Sequence, residues 1–333
     1  MPRIKLGGQQ RSRPSDWRQA ITDQLRSGKV LPIISNRLHD DLILGGHCQL
    51  VRAYAEYHAF PLDSNPDLPE VVQYNTVMRE LAGSEDIVKR EYLDFVKSRL
   101  LEISEKNDTT EDWARLQKVE ESQFDDRDFS AMAANLCYPR FGSPVEDPLL
   151  ILAGFDLPIY LTTSSHCFIE EALKEAGKQP RTAACCWHPR VTLLDKDPLA
   201  DDYQPSVLEP LVYHLYGLDS CPESLVLSED DFLSFLVNAS RDRDLIPNRL
   251  RQALNDSSLM LLGYDLGSWD FRTLLYGLIK TRSYCLQSVC VLQLQPSKEE
   301  QAFLNRYMDD VDFKVFWGDF AAYLRQLHND LQR

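Results

Sequence analysis

The stretch Pro158-Ile-Tyr-Leu-Thr-Thr-Ser-Ser-His166, continued by Cys167-Phe-Ile-Glu-Glu-Ala-Leu173, decides the fold of this chain. It opens as a short apolar run, which is typical of a buried strand, and it closes with a helical pattern. The small hydroxyl side chains between them therefore stand where a strand ends and a helix begins. In open α/β folds, nucleotides bind at that edge of the sheet.

Outward from this stretch, apolar strands alternate with helices from about residue 145 onward. This alternation predicts a parallel, doubly wound sheet with helices on both faces, which is a Rossmann-like α/β fold. The apolar run 30–34 is expected to be the first strand of the same sheet. The later strands are predicted at 159–161, 211–215, 259–263, 288–294 and 313–316.

The region between the first strand and residue 145 is helical in pattern. Residues 50–145 are predicted to be a helical insertion within a single domain that spans residues 1–333. One helix is expected over 42–59, although two glycines lie near its start. The polar, acidic residues 104–128 are expected to form a solvated helix and loop.

Composition limits the classes of function. The chain has 333 residues, of which 44% are hydrophobic, and its net charge is −15. A strongly acidic protein is a poor partner for nucleic acids or for anionic membranes. No apolar run is long enough to span a bilayer, and the first residues lack the apolar core of a signal peptide. We expect a cytoplasmic protein with reduced cysteines.

Four segments carry a specific pattern through their order and spacing. They are Leu31-Pro-Ile-Ile-Ser-Asn-Arg37, Leu161-Thr-Thr-Ser-Ser-His166, Leu211-Val-Tyr-His-Leu-Tyr-Gly217 and Leu261-Leu-Gly-Tyr-Asp-Leu-Gly-Ser-Trp-Asp-Phe-Arg272. Together they resemble the prokaryotic SIR2-like family, the sirtuin-related proteins of bacterial antiviral defence. The resemblance is firm from 155 to 320 and looser before that.

The resemblance implies NAD bound across the edge of the sheet. Active relatives cleave the nicotinamide–ribose bond, and some deplete cellular NAD on infection. It also implies a homo-oligomer and a separate sensor partner, such as a signal-transduction ATPase. Protein deacylation is disfavoured, since the paired cysteines of the zinc ribbon in classical sirtuins are missing at the required spacing. Two functions stay open: an NAD+ glycohydrolase, and a catalytically degenerate module that binds a nucleotide or a partner.

The predicted cofactor-binding residues follow the ends of three strands. They are Ser35, Asn36, Arg37, Thr162, Thr163, Gly263, Tyr264 and Asp265. In the family the first loop is rich in glycine, because the backbone must approach phosphates closely. Here the side chains of Ser35, Asn36 and Arg37 either block the dinucleotide, or Arg37 pairs with a phosphate through two hydrogen bonds. Asp265 is a candidate acceptor for ribose hydroxyls.

The predicted catalytic residues are Ser164, His214 and Tyr216. The family asparagine falls at Ser164, for which a helix cap is the simpler interpretation, and the family histidine falls at Tyr216. A phenol is a poor base near neutral pH. Because side chains alternate along a strand, His214 is expected to point the same way as Tyr216 and to supply a displaced base, although a histidine buried under the sheet is the simpler interpretation.

We expect a nucleotide-sized pocket lined by Ser35, Asn36, Thr162, Thr163, Ser164, Tyr216 and Gly263. No metal is expected. Cys185, Cys186 and His188 lie close in sequence, but a second pair of ligands at suitable spacing is missing.

Overall fold

A computed structural model describes residues 14–61, 66–79, 84–107, 128–188, 191, 203–280, 288–292, 297–309 and 313–332. Its strands are Val30–Ile34 (β1), Ile159–Thr162 (β2), Arg181–Ala184 (β3), Leu211–His214 (β4), Ser258–Leu262 (β5), Ser288–Leu292 (β6) and Phe313–Trp317 (β7). They form one parallel sheet in the order β3-β4-β2-β1-β5-β6-β7. The predicted α/β, Rossmann-like fold is confirmed.

Helices connect the strands. They are Pro14–Arg26 (α1), Asn36–Ile43 (α2), His47–Tyr57 (α3), Leu68–Met78 (α4), Ser84–Asn107 (α5), Phe129–Asn135 (α6), Pro148–Ala153 (α7), Phe168–Glu175 (α8), Glu229–Arg241 (α9), Asn248–Asp256 (α10), Trp269–Leu274 (α11), Lys298–Asp309 (α12) and Phe320–Leu331 (α13). A π-helical turn, Leu275–Ile279, continues α11.

The central strand is β1, which pairs with β2 on one side and β5 on the other. Chain order runs outward from β1 in one direction through β2 and then in the other through β5, so the direction of winding reverses beside β1. Ligands of open α/β folds bind at such a reversal, outside the carboxyl ends of the strands.

Side chains of the central strands alternate between two cores. In β1, Val30 and Ile34 join the core covered by α1 to α8 and α13, while Leu31 and Ile33 join the core covered by α9 to α12. We call these the first and the second face. Helices therefore cover both faces, as predicted.

Most predicted strands are found within a residue of their expected ends. However, β4 ends at His214 and β5 at Leu262, so that Leu215 and Gly263 lie beyond them. Strand β3 was missed, because its sequence Arg-Thr-Ala-Ala is not an apolar run and its first residue is exposed. The last two residues of the predicted strand 288–294 lie outside the described residues.

The single helix expected over 42–59 is wrong. Helix α2 begins earlier and ends at Ile43, and α3 starts at His47. Between them Gly45 and Gly46 have φ of +79° and +111°, which are left-handed values that stop a right-handed helix.

The helices between β1 and β2 pack on the first face. Tyr54 of α3, Val71 of α4, Val96 of α5 and Phe129 of α6 are buried in the same core as Tyr160 of β2. Most of the segment 104–128 lies outside the described residues. That residues 50–145 form an insertion within one domain stays a prediction.

None of the helices in the described part of the chain combines the length and the apolar character needed to cross a bilayer.

Candidate functional site

A cavity of about 430 Å³ opens at the carboxyl edge of the sheet, beside the reversal at β1. Its volume falls within the range of about 300–1,000 Å³ that small-molecule sites occupy. Five of the predicted site residues line it: Asn36, Arg37, Thr163, Tyr216 and Asp265. They come from the ends of four different strands, β1, β2, β4 and β5, so the parallel topology brings them together.

Ser35 does not reach the cavity, because it caps helix α2. Its Oγ accepts a hydrogen bond from the N–H of Leu38 at 3.3 Å and donates one to the carbonyl of Gly263 at 2.7 Å. Gly263 has a φ of +78°, and a Cβ there would lie 2.7 Å from Ser35 Oγ. These two residues hold the ends of β1 and β5 together and form the floor behind the site.

The two threonines at the end of β2 have different roles. The Thr162 hydroxyl donates to the carbonyl of Ile34 at 3.0 Å and is fully buried. The Thr163 hydroxyl lines the cavity and lies 3.1 Å from the hydroxyl of Tyr264, which is itself buried. Thr163 and, two residues later, Ser165 are therefore the hydroxyl residues of this segment that a ligand meets.

Ser164 is buried and acts on Asn36. Its Oγ donates to Asn36 Oδ1 at 2.9 Å and accepts from the backbone N–H of His166 at 3.1 Å. The Asn36 amide in turn donates to Asp40 Oδ2 at 3.1 Å. This chain of bonds fixes the orientation of the Asn36 side chain at the cavity wall.

Arg37 and Asp265 form an ion pair across the cavity, with Nη1 3.1 Å from Oδ2. Both side chains are partly exposed. A phosphate that binds Arg37, or a ribose that binds Asp265, has to compete with this pair or add to it.

Tyr216 forms a wall of the cavity. Its hydroxyl donates to the carbonyl of Asp270 at 2.8 Å, and its ring packs edge-on against Phe232 and Phe235. Burial raises the pKa of Tyr216 well above its usual value. The phenol is therefore a protonated, oriented group at neutral pH.

Residues 158–311 match the model of the SIR2-like domain. No curated protein matches the chain. The match begins just before β2 and ends just beyond α12, so it includes β2, β4 and β5, three of the four strands whose ends carry cavity residues.

His214 does not lie where the sequence predicted. Its Nδ1 lies 2.7 Å from the carbonyl of Ser164 and its Nε2 lies 2.8 Å from Glu170 Oε1. It is fully buried, does not line the cavity, and points to the first face, whereas Tyr216 packs in the second core. The expected common direction of His214 and Tyr216 is wrong, because β4 ends at His214 and alternation does not continue through the turn that follows.

One histidine that was not among the predicted site residues lines the cavity. His47, at the start of α3, has Nδ1 2.8 Å from Asp40 Oδ2. Burial alone lowers the pKa of His47, but the hydrogen bond and charge of Asp40 outweigh it, and the pKa is raised. The glycine pair before it is a sequence signal, since it places a helix start at residue 47.

Two carboxyl groups of the wall were missed as well. Asp67 and Asp270 line the cavity, and burial raises the pKa of each. Both stand at helix starts, in Asp67-Leu68-Pro69 and Ser268-Trp269-Asp270. The sequence pattern indicates a helix cap at these positions and says nothing about a cavity.

The metal-binding interpretation of Cys185, Cys186 and His188 finds no support in the geometry. Cys185 is a buried thiol that contacts the carbonyl of Leu245, and Cys186 is exposed. A different group, Cys167, Glu170 and His214, has the ligand types and closeness of a metal site. No metal was expected from the sequence, and this group was not considered, because His214 lies on a separate strand more than 40 residues after Cys167 and Glu170.

Proposed function

We propose that this protein binds NAD in the cavity at the carboxyl edge of its sheet. The observation that carries the proposal is that Asn36, Arg37, Thr163 and Asp265 meet at the reversal beside β1. The last two lie within the range that matches the SIR2-like domain. The SIR2-like family implies NAD as the ligand, and the reversal of an open α/β sheet is the usual place for a dinucleotide.

Helix orientation supports an anionic ligand. Four helices begin at the cavity wall: α2 at Asn36, α3 at His47, α4 at Leu68 and α11 at Trp269. The amino end of a helix carries unpaired N–H groups and a partial positive charge, which favour phosphate. The pyrophosphate of NAD would find this environment near Arg37.

The apolar part of the wall suits the rings of a dinucleotide. Leu225, Val226, Phe232 and Trp269 line the same cavity as Tyr216. Small-molecule sites commonly combine such an apolar lining with a few convergent polar groups.

A substitution at Arg37 distinguishes the two effects that the sequence left open for this residue, which are obstruction of the dinucleotide and pairing with a phosphate. If the guanidinium binds phosphate, Arg37→Gln should weaken NAD binding by at least about tenfold, as expected for a hydrogen bond to a charged group. Isothermal titration calorimetry of the purified protein with NAD measures this. Arg99→Gln is the matched control, because Arg99 pairs with Glu102 on the surface of α5 and does not line the cavity.

Tighter binding in the Arg37→Gln variant would show that Arg37 obstructs the site. The absence of any binding heat or thermal shift with millimolar NAD would overturn the proposed function itself.

A second candidate function is hydrolysis of NAD to ADP-ribose and nicotinamide. The observation that favours it is His47, a titratable ring in the cavity wall held by Asp40. In this reaction a water oxygen attacks the ribose C1′, the bond to the nicotinamide nitrogen breaks, and a base accepts the water proton. The free base of His47 becomes more populated as pH rises, so the rate should rise with pH through the pKa of His47. This pKa is raised above the usual value for histidine.

Release of free nicotinamide from NAD tests hydrolysis. His47→Asn should lower the rate by about 10²–10⁴-fold if the ring is the general base. His58→Asn is the control, because His58 lies at the end of α3 and does not line the cavity. NAD binding without nicotinamide release would leave the binding-only function, which is the second one that the sequence allowed.

A role in antiviral defence belongs to the same proposal and follows from the resemblance. In this role the protein would form a homo-oligomer and would work with a separate sensor, such as a signal-transduction ATPase.

A further inference from the structure

We propose that Cys167, Glu170 and His214 form a zinc site, separate from the cavity. One ligand atom of each side chain lies within 4.8 Å of those of the other two. Cys167 stands at the amino end of α8, Glu170 lies in its first turn, and His214 is the last residue of β4. The sheet brings the strand end against the start of the helix, and so the three groups meet. None of them lines the cavity.

The histidine is oriented as a metal ligand is. Its Nδ1 lies 2.7 Å from the carbonyl of Ser164, which can only accept, so this nitrogen carries a proton. The ring therefore presents Nε2 to Glu170 at 2.8 Å. In metal sites the ligating histidine almost always donates its other N–H to a carboxylate, a backbone carbonyl or a water, which fixes the tautomer.

The carboxylate is only partly satisfied. Glu170 Oε1 accepts from the Thr182 hydroxyl at 2.9 Å and faces His214, whereas Oε2 is buried and has no hydrogen-bond partner among the described residues. Glu170 is 2% exposed. A buried carboxylate oxygen without a partner is costly, and a coordinated cation would satisfy it.

The surroundings are rich in negative charge. Asp219 is 2% exposed and close enough to act electrostatically on both Cys167 and His214. Its Oδ2 accepts from Ser130, while its Oδ1 has no partner in the described part of the chain. A divalent cation would balance these carboxylates. Of the three groups, Cys167 is the one that is not fully buried.

The ligand types select zinc over the harder cations. A thiolate, an imidazole and a carboxylate together suit zinc, whereas magnesium and calcium prefer oxygen ligands alone. Three protein ligands also leave a fourth tetrahedral position open. The simpler arrangement is a buried ion pair between an imidazolium of His214 and Glu170, without a metal.

Metal loading of the full chain separates the two arrangements. The purified protein is stripped with a chelator and incubated with zinc or cobalt, and excess metal is then removed. We expect about one zinc per chain by elemental analysis. The cobalt form should show the thiolate-to-cobalt charge-transfer band in the near ultraviolet and the visible bands of tetrahedral cobalt.

Variants assign the ligands. Cys167→Ser should abolish the charge-transfer band, and His214→Gln should lower metal affinity by at least about tenfold, the scale on which even outer partners of a metal site act. Cys221→Ser is the matched control, since Cys221 is also a half-buried free thiol and is not part of the group. It should leave stoichiometry and band unchanged.

Three results would overturn the zinc site. They are a wild-type chain that retains no metal, a charge-transfer band that survives Cys167→Ser, and equal loss in the control variant. If Cys167→Ser does not fold, the cobalt spectrum of the wild type still reports whether a thiolate is a ligand. Thr182→Val then serves as the second variant, because it removes the hydroxyl that orients Glu170 and should weaken cobalt binding.

Discussion

His39 is enclosed in the core, and neither of its ring nitrogens has a hydrogen-bond partner among the described residues. Its ring packs edge-on against Phe168 at a centroid distance of 5.5 Å. Burial, reinforced by the nearby His166 and His214, lowers the pKa of His39 from 6.5 to about 3. At neutral pH the His39 ring is therefore uncharged, and its two buried nitrogens have no hydrogen bond to stabilise them among the described residues.

The acid stability of the protein should depend on His39. Between pH 6.5 and about 3 the unfolded chain binds a proton at this residue and the folded chain does not. Folding stability is thus lost as pH falls through this window, by about 1.4 kcal/mol per pH unit. His39→Leu should remove this dependence of stability on pH. At pH 7 the variant should be as stable as the wild type or more stable by up to roughly 1 kcal/mol, because the substitution removes polar atoms without partners.

Urea unfolding at pH 7, 6 and 5 measures this slope. His58→Leu is the control, since His58 is less buried and should change the slope less. An unchanged slope in His39→Leu would mean that the ring takes up its proton in the folded state.

At the scale of elements, a buried ion pair joins α5 to α9. Lys89 Nζ lies 3.0 Å from Asp231 Oδ1, and both side chains are more than nine-tenths buried. The ammonium also lies 5.4 Å from the centre of the Trp187 ring. Asp231 further accepts from the backbone N–H groups of Leu227 and Ser228, so it caps α9 as well. This pair links the helices before β2 to those of the second face.

Neighbouring residues on α5 allow a matched comparison. Lys89→Met should cost about 3–5 kcal/mol of unfolding free energy, because it leaves a buried carboxylate without its cation. Arg90→Met breaks the pair with Glu223, in which Arg90 is largely exposed, and should cost less than about 1 kcal/mol. Chemical denaturation of both variants measures the difference. Equal losses would show that Asp231 is adequately satisfied by its backbone partners.

At the scale of the whole molecule, the helices between β1 and β2 share their core with the sheet. Tyr54, Val96 and Phe129 are buried with Ile34 and Met260 in one cluster. A shared core predicts cooperative unfolding of the helical insertion together with the α/β part. Midpoints from far-ultraviolet circular dichroism and from tryptophan fluorescence should therefore coincide. Two separated transitions would show that residues 50–145 fold as a domain of their own.

Part of the site could be predicted from sequence because it depends on topology alone. Polar residues after the apolar runs of β1, β2 and β5 must meet at one edge when the strands are parallel, and Asn36, Thr163 and Asp265 do so. Directions beyond a strand end follow no such period, so the sides taken by His214 and Tyr216 could not be deduced.

By itself, the sequence determined the sheet apart from β3, its parallel sense and the edge at which the site lies, since these follow from local periodicity and from the alternation of strands with helices. Only the tertiary structure decided what meets at and near that edge. His47 and Asp67 reach the cavity from helix starts within the segment between β1 and β2, and Cys167 meets His214 because α8 packs against the end of β4. Contacts of this kind depend on how helices dock, and docking is set by packing across the whole core, which no local pattern records.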